Sequence, residues 1–407
     1  MNTVASPVRI LYVLNDLGGG ASFGIYEMLR GLPREKFMPF AVAPAGPPKA
    51  LDKAKPLFAD VRQIPLPWWN INPAPGLARR AAVALSRWRR GMSRTRSKAE
   101  VLQAIRDWKI NLVHSGTSLT LSGATAAYHA GIPHLWHIKE SVGRTRRVRF
   151  PMSDVELVSF MSSRSAFVVA MSEFAGGVFR ENGCPNLEIL PDGVDVQPYA
   201  NGSSRNLREQ LRLSPGETLV GMVASLASTW KEHDVFIRMA ARLAAQERQA
   251  RFIIIGPQPR PNRWPYDLNY RYFQNLKALV SECGLNDRLQ LLDFVPDPPD
   301  IMRSLDVLVH TCSEEPFGRI AIEAMAAGTP VVGPRTGGIS ESVVDGETGL
   351  LANPRDAEAF AEAVRKLLRD PTLRKKMGEA GQRRVRDVYS LAVHAGAQTR
   401  LYERALR

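Results

Sequence analysis

Apolar residues along the chain gather into thirteen short runs, continuous or alternating with polar positions, and each run reads as a strand. Seven fall in the first half, at residues 8–15, 37–44, 61–66, 111–116, 134–139, 166–172 and 187–191. Six fall in the second, at 218–226, 251–256, 289–295, 306–312, 330–335 and 349–352. Intervening segments such as 232–250 and 355–369 carry the 3–4-residue apolar spacing of helices. Strands alternating with helices predict parallel sheets covered on both faces. Thirteen strands exceed what one such sheet usually holds, so the expected fold class is α/β with two doubly wound, Rossmann-like domains. A polar, turn-rich stretch, DGVDVQPYANGSSRN at 192–206, separates the two strand series. The expected division is a domain over 1–191, a linker over 192–206, a second domain over 207–380, and a helical segment over 381–407 able to cross back onto the first domain. Ligands of open parallel sheets bind at the carboxyl ends of the strands, so the expected site is a cleft faced by both domains.

The remaining composition narrows the setting. Cys184, Cys283 and Cys312 lie far apart, with neither a disulfide framework nor metal-ligand spacing, which favours a reducing compartment. The N-terminus shows no basic region followed by a long apolar run, and no apolar stretch approaches the ~20 residues of a membrane span. The expected location is the cytoplasm. The net charge of +14 is uneven: residues 1–195 carry 25 Lys and Arg against 15 Asp and Glu, and residues 196–407 carry 29 against 25. The basic half fits an anionic partner such as a membrane surface, a phosphorylated substrate or nucleic acid, and charge alone does not choose among them.

One segment concentrates that charge. Leu77, Ala81, Ala84, Leu85, Trp88 and Met92 share a helical stripe over 77–96, with Arg79, Arg80, Arg87, Arg89, Arg90 and Arg94 around it. Beside Trp68 and Trp69, read as exposed, such a helix can lie on an anionic membrane, which would place the protein peripherally at the inner face of the cell membrane. It can equally be a domain helix whose stripe packs on the sheet. Nucleic acid is not an expected partner, because no aromatic stacking platform accompanies the charge.

The richest chemistry lies in EPFGRIAIEAMAAG, Glu315 to Gly328, which follows the run 306–312 and opens a helix. The first-turn N–H groups of Phe317, Gly318, Arg319 and Ile320, with the positive helix end, suit a diphosphate. Gly318 permits close approach. Glu315 and Glu323 can accept hydrogen bonds from sugar or ribose hydroxyls. The plainer reading makes Glu315 a helix cap and Glu323 a solvated surface residue. Gly18, Gly19 and Gly20 form the first strand-to-helix turn, without the G-x-G-x-x-G spacing of a dehydrogenase. By themselves they read as a tight turn. No Asp-x-Asp motif or His/Cys cluster with metal spacing is apparent, so neither a metal nor another cofactor is expected.

Glu315 and Glu323, seven residues apart and followed by GGISESVVDGETGLL, resemble the signature of the retaining nucleotide-sugar glycosyltransferases of family 4. The similarity extends to LNDLGGGAS, HLWHIKES, ILPDGVD and WKEHDVFI, covering nearly the whole chain. It implies the two-domain GT-B fold and transfer of a sugar from a UDP- or GDP-linked donor to a hydroxyl acceptor, saccharide or lipid-linked, as in bacterial surface polysaccharide or glycolipid synthesis. By the same resemblance Glu323 binds the nucleotide ribose, Glu315 contacts the donor sugar near its anomeric centre, and backbone from Phe317 to Ile320 meets sugar and diphosphate. Lys231 neutralises the leaving diphosphate, Gly19 and Gly20 neighbour the donor or acceptor, and His137 faces the anomeric carbon. His114 and His134 are read as core histidines. Two departures stand out: Ser225 replaces an arginine six residues before the lysine, and Glu232 replaces the glycine after it. They motivate the alternative of a catalytically silent nucleotide-sugar-binding protein. An epimerase or phosphorylase of the same fold is a further rival, without the expected cofactor lysine context.

Overall fold

The computed structural model describes residues 6–18, 20–70, 95–201, 205–260 and 267–407. The chain forms two compact units, Met1–Gly193 with Leu391–Arg407, and Val194–Ser390. Unit 1 holds β1 (Val8–Val13), β2 (Phe37–Ala43), β3 (Val61–Gln63), β4 (Leu112–Ser115), β5 (His134–Ile138), β6 (Phe167–Ala170) and β7 (Leu187–Ile189). Unit 2 holds β8 (Thr218–Val223), β9 (Ala250–Ile255), β10 (Leu289–Leu292), β11 (Val307–Val309), β12 (Val331–Pro334) and β13 (Gly349–Ala352). Each apolar run of the sequence contains one of these strands, except that β9 begins one residue before its run.

All pairings are parallel, in the orders β3-β2-β1-β4-β5-β6-β7 and β10-β9-β8-β11-β12-β13. Each order reverses once, between β1 and β4 and between β8 and β11, the kind of point at which open parallel sheets bind ligands. The strands are buried on both faces: Ile10 to Val13, Leu112 to Val113 and Val307 to Val309 are wholly enclosed. That is why these runs read as continuously apolar.

The segment 192–206 does not act as one linker. Asp192 and Gly193 close unit 1, and unit 2 begins at Val194, whose N–H bonds to the Tyr389 carbonyl at 2.9 Å. Residues 381–390 end unit 2 in a helix and a π-helical turn, Val385–Tyr389, and only Leu391–Ala405 packs in unit 1. There Tyr402 meets Phe37 edge to face, and Leu391 lies where a Cβ on Gly31 would come within 2.9 Å. Of the amphipathic helix expected over 77–96, residues 77–94 lie outside the described residues, and residues 95–107 are helical. Of the two tryptophans read as exposed, Trp68 is 47% exposed. Trp69 is buried, its ring against Phe150 and Phe160 and its Nε1–H bonded to the Ser118 carbonyl at 2.7 Å. No described helix is long and apolar enough to cross a membrane.

Two of the motifs meet inside unit 1. Lys139, just past β5 in HLWHIKES, pairs at 2.7 Å with Asp192 of ILPDGVD, and both side chains are almost fully enclosed. A Cβ on Gly24 would come within 2.7 Å of the Asp192 carboxylate, so the helix Gly20–Gly31 packs against the pair through bare backbone. Removing one partner leaves a buried charge uncompensated. Asp192→Ala is therefore expected to cost ~3–5 kcal/mol in urea unfolding, and Lys139→Met/Asp192→Leu together much less.

Candidate active site

The switch point of unit 2 brings the loop after β8 beside the loop after β11. The first ends in a 3₁₀ turn, Thr229–Lys231, and the second runs from His310 to Gly318. Thr311 ties them together, donating from Oγ1 to the carbonyls of Lys231 (3.2 Å) and Glu232 (2.8 Å). Glu232 itself sits in the left-handed region at φ +56°, which favours glycine and accounts for the glycine expected there. Its carboxylate accepts from the Ser313 hydroxyl (2.5 Å), the Ser313 N–H (3.2 Å) and Arg355 Nε (3.0 Å). The departure at 232 thus adds a second brace between the loops in exchange for backbone strain.

Lys231 and Glu315 meet directly. The ammonium lies 2.5 Å from Glu315 Oε2 and 3.9 Å above the Trp230 ring, and the two side chains are only 16% and 13% exposed. His310 Nε2 approaches the same oxygen at 3.1 Å. Glu315 Oε1 carries no bond among the described residues and is available to accept from a ligand hydroxyl. Burial alone would raise the Glu315 pKa; the Lys231 charge and the His310 hydrogen bond outweigh it and hold the carboxyl well below the usual carboxylate range. Glu315 does not cap the following helix, whose N-cap is Gly318 without a side-chain bond.

That helix, Arg319–Ala326, begins where Gly318 turns left-handed at φ +81°. The N–H groups of Phe317, Gly318 and Ile320 find no acceptor among the described residues, as an anion-binding first turn requires. The GGIS motif forms the floor: Gly338 N–H bonds the Glu315 carbonyl at 2.8 Å, and a Cβ on Gly338 would stand 2.4 Å from Phe317 Cα. Glu323 is buried rather than solvated, with Arg319 Nε donating to Oε1 at 2.8 Å. Ser225 is half-buried, its Oγ 3.4 Å from the Ala227 N–H. Among the described residues, His310, Cys312 and Glu315 are the one group able to hold a metal ion, with ligand atoms within 4.8 Å of one another. The Lys231 ammonium already engages Glu315 Oε2, and the Cys312 thiol, pushed up to about 12 by burial and the Glu315 charge, donates to the Trp230 carbonyl.

In unit 1, Gly19 lies outside the described residues and Gly20 opens the helix Gly20–Gly31. The turn before it is closed by Gly18 N–H donating to Asp16 Oδ1 (2.9 Å) and Ser22 Oγ to the Asp16 carbonyl (2.7 Å). His137, at the end of β5, is wholly buried; its Nδ1 is 3.2 Å from His114 Nε2, and its Nε2 has no partner among the described residues. His134 bonds Ser165 and Ser115 through its two nitrogens, as a core histidine does. The Glu140 carboxylate, past the end of β5, is taken up internally by Thr117 and Ser118. His310 is the site residue that sequence reasoning missed; its signal was a histidine at a strand's carboxyl end, five residues before Glu315.

Solved structures share this architecture over nearly the whole chain. Anabaena HepE in complex with UDP and glucose is 20% identical, covers 97% of this chain and 99% of its own, and superposes with a TM-score of 0.77. A glycosyltransferase from Rickettsia africae ESF-5 is 18% identical, with coverages of 98% and 99% and a TM-score of 0.79. The fold class is therefore GT-B, two Rossmann-like domains each built on one parallel sheet. The family model described as Glycosyltransferase Family 4 matches residues 18–198, and that of the Glycosyl transferases group 1 matches 203–384. The chain belongs to the family 4 glycosyltransferases. D-inositol 3-phosphate glycosyltransferase of Nocardia farcinica is 33% identical over 198 residues, 47% of this chain and 42% of that protein. The 2-deoxystreptamine glucosyltransferase of Streptomyces kanamyceticus is 28% identical over 330 residues, 75% of this chain and 81% of that protein. The chain spans about half the length of the inositol-phosphate relatives it matches.

Two outcomes test this geometry. A Cβ at Gly318 would stand 2.0 Å from Ile339 Cδ1 at a left-handed φ, so Gly318→Ala is expected to lower stability by roughly 1–3 kcal/mol and abolish anion binding at the helix start, read by melting and by phosphate or nucleotide titration. Because the folded pKa of Glu315 is depressed, its contribution is complete above its unfolded pKa, ~4.3, and declines as pH falls below it. Lys231→Met is expected to cost on the order of 2–3 kcal/mol at pH 7 and to flatten that acid-side loss in urea midpoints measured from pH 7 to pH 3.

Proposed function

We propose that this chain catalyses retaining transfer of a hexose-type sugar from a nucleoside-diphosphate sugar to a hydroxyl of a polyhydroxylated acceptor. The observation that carries the reading is the Lys231–Glu315–His310 group beside the unfilled first turn of Arg319–Ala326. Departure of a nucleoside diphosphate develops negative charge on its terminal phosphate. Lys231 and the helix N–H groups are aimed to stabilise that charge, and no metal is required of the mechanism. Glu315 Oε1 accepts from a donor-sugar hydroxyl, while Glu323 takes the ribose hydroxyls. The acceptor oxygen attacks the face from which the diphosphate leaves, the departing phosphate oxygen removes its proton, and configuration is retained without a covalent enzyme intermediate. This differs from the paired-carboxylate route of hydrolases.

UDP is the first donor base to test, because it is bound in the HepE structures that share the fold. The relatives' named acceptors, inositol 3-phosphate and 2-deoxystreptamine, are both polyhydroxylated carbocycles. The excess of basic residues before position 196 suits a phosphorylated member of that class. A surface polysaccharide or glycolipid acceptor, reached from the cytoplasm, is the second reading, and it draws on the basic composition of 77–96. The silent nucleotide-sugar-binding alternative rests on Ser225 and Glu232.

Thermal shift of the purified protein with EDTA, against UDP, GDP, ADP, CMP and their sugars, discriminates these readings. A rise with one nucleotide family, lost in Glu323→Ala and Lys231→Ala, is expected. Binding without transfer or slow donor hydrolysis would favour the silent binder, and no shift with any nucleotide would overturn the donor site.

A further inference from the structure

Unit 1 contains a wholly buried polar chain that the reading above does not use. Tyr12 of β1, His114 of β4, His137 of β5, and Gln398 and Tyr402 of the helix Leu391–Ala405 are each 0% exposed. Tyr12 Oη and Tyr402 Oη lie 2.8 Å apart, Tyr402 Oη and His114 Nδ1 2.7 Å, and His114 Nε2 and His137 Nδ1 3.2 Å. Gln398 Nε2 donates to Tyr402 Oη and, at 3.4 Å, to Tyr12 Oη. His137 Nε2, at the end of the chain, has no partner among the described residues.

Counting protons orders the chain. Tyr12 Oη touches only Tyr402 Oη and the Gln398 amide nitrogen, which can only donate, so the Tyr12 proton must go to Tyr402. Tyr402 then accepts from both Tyr12 and Gln398, and its own proton goes to His114 Nδ1. His114 therefore carries its proton on Nε2 and donates it to His137 Nδ1. His137 must carry its proton on Nε2. The reverse order strands the Tyr12 hydroxyl proton in a fully buried place. Turning the Gln398 amide over would strand two N–H donors where Oε1 now stands, instead of a single acceptor.

We propose that Tyr12, Gln398, Tyr402 and His114 are positioning residues that fix the proton of a neutral His137 on Nε2, making His137 a hydrogen-bond donor to a sugar hydroxyl oxygen and not a base. The inference rests on the glycosyl-transfer reading for the identity of that oxygen. Both imidazoles are uncharged: burial, reinforced by the nearby Lys139 charge, holds His137 well below the ordinary histidine range and His114 down to about 3. His134 and His394 also face this region, and the Asp192 carboxylate beside it is engaged by the Lys139 ammonium at 2.7 Å. A buried N–H without an acceptor is costly, and a ligand oxygen arriving at Nε2 removes that cost. A donor also fits the chemistry, since the departing phosphate, and not a side chain, takes the acceptor proton.

The test is long-range ¹H–¹⁵N correlation on the full chain with ¹⁵N-labelled histidine, with His137 assigned by its loss in His137→Gln. The expected result is the Nε2–H tautomer at both His114 and His137. Tyr12→Phe removes the proton that imposes the order, so His137 is expected to become a mixture of tautomers although position 12 does not touch it. Tyr402→Phe, which cuts the chain, is the second variant should the first not fold. An Nδ1–H tautomer at His137 in the unmodified protein, or an unchanged tautomer in a folded variant, would overturn the proposal. In transfer assays His137→Gln, which keeps an N–H donor but cannot act as a base, is expected to remain within about tenfold of the unmodified enzyme. His137→Leu is expected to fall by about a hundredfold or more. Equal losses would assign His137 to base chemistry and reject the donor role. The spectra do not depend on turnover, so absence of transfer would count against the functional reading alone.

Discussion

Every strand in both sheets runs parallel to its neighbours, and the remaining structure depends on that constraint. Parallel strands cannot be joined by tight hairpins, so each connection carries the chain back along a face and every carboxyl end emerges at one edge of its sheet. Polar residues that the interior would reject collect along that edge. Where the strand order reverses, two such ends become neighbours with no connection covering them. His310 and the loop to Gly318 meet Lys231 there in unit 2. His114 and His137 occupy the ends of adjacent strands in unit 1.

The two sites solve opposite electrostatic problems. In unit 2 an ionised carboxylate survives partial burial because an ammonium and an imidazole both address one of its oxygens, leaving the other for a ligand. In unit 1 burial is complete and the Asp192 carboxylate is already paired with Lys139, so the histidines are neutral and their remaining freedom is where the proton sits. That choice is transmitted from a helix contributed by the end of the chain, through two phenols and an amide. Charge governs the first site and proton order the second.

The glycines of the site show how local strain is distributed. Gly318 and Gly337 take left-handed conformations, and Gly338 admits the Phe317 backbone, so the loop carrying Glu315 lies flat on the turn after β12. Glu232 takes the same left-handed conformation without being glycine. Its carboxylate holds Ser313 and Arg355, interactions a glycine could not make. The strain is offset by bracing, an arrangement common where two loops must keep a fixed geometry.

The thirteen strands, their parallel arrangement in two sheets and the helix opening after Glu315 were legible in the sequence, because burial on both faces and helix-start chemistry leave local signatures in residue type and spacing. The pairing of Lys231 with Glu315 was half legible: both residues were singled out, yet 84 positions separate them and nothing local says that they touch. His310 was passed over, since a histidine at a strand end resembles the core histidine that His134 proved to be. Only the tertiary structure decided that 192–206 divides between the units and that the terminal helix begins at Leu391. It alone decided that Trp69 is a core residue and that Tyr402, His114 and His137 join in one buried hydrogen-bonded chain. Local pattern records which face of an element is buried, and contacts between remote elements exist only once the chain has folded.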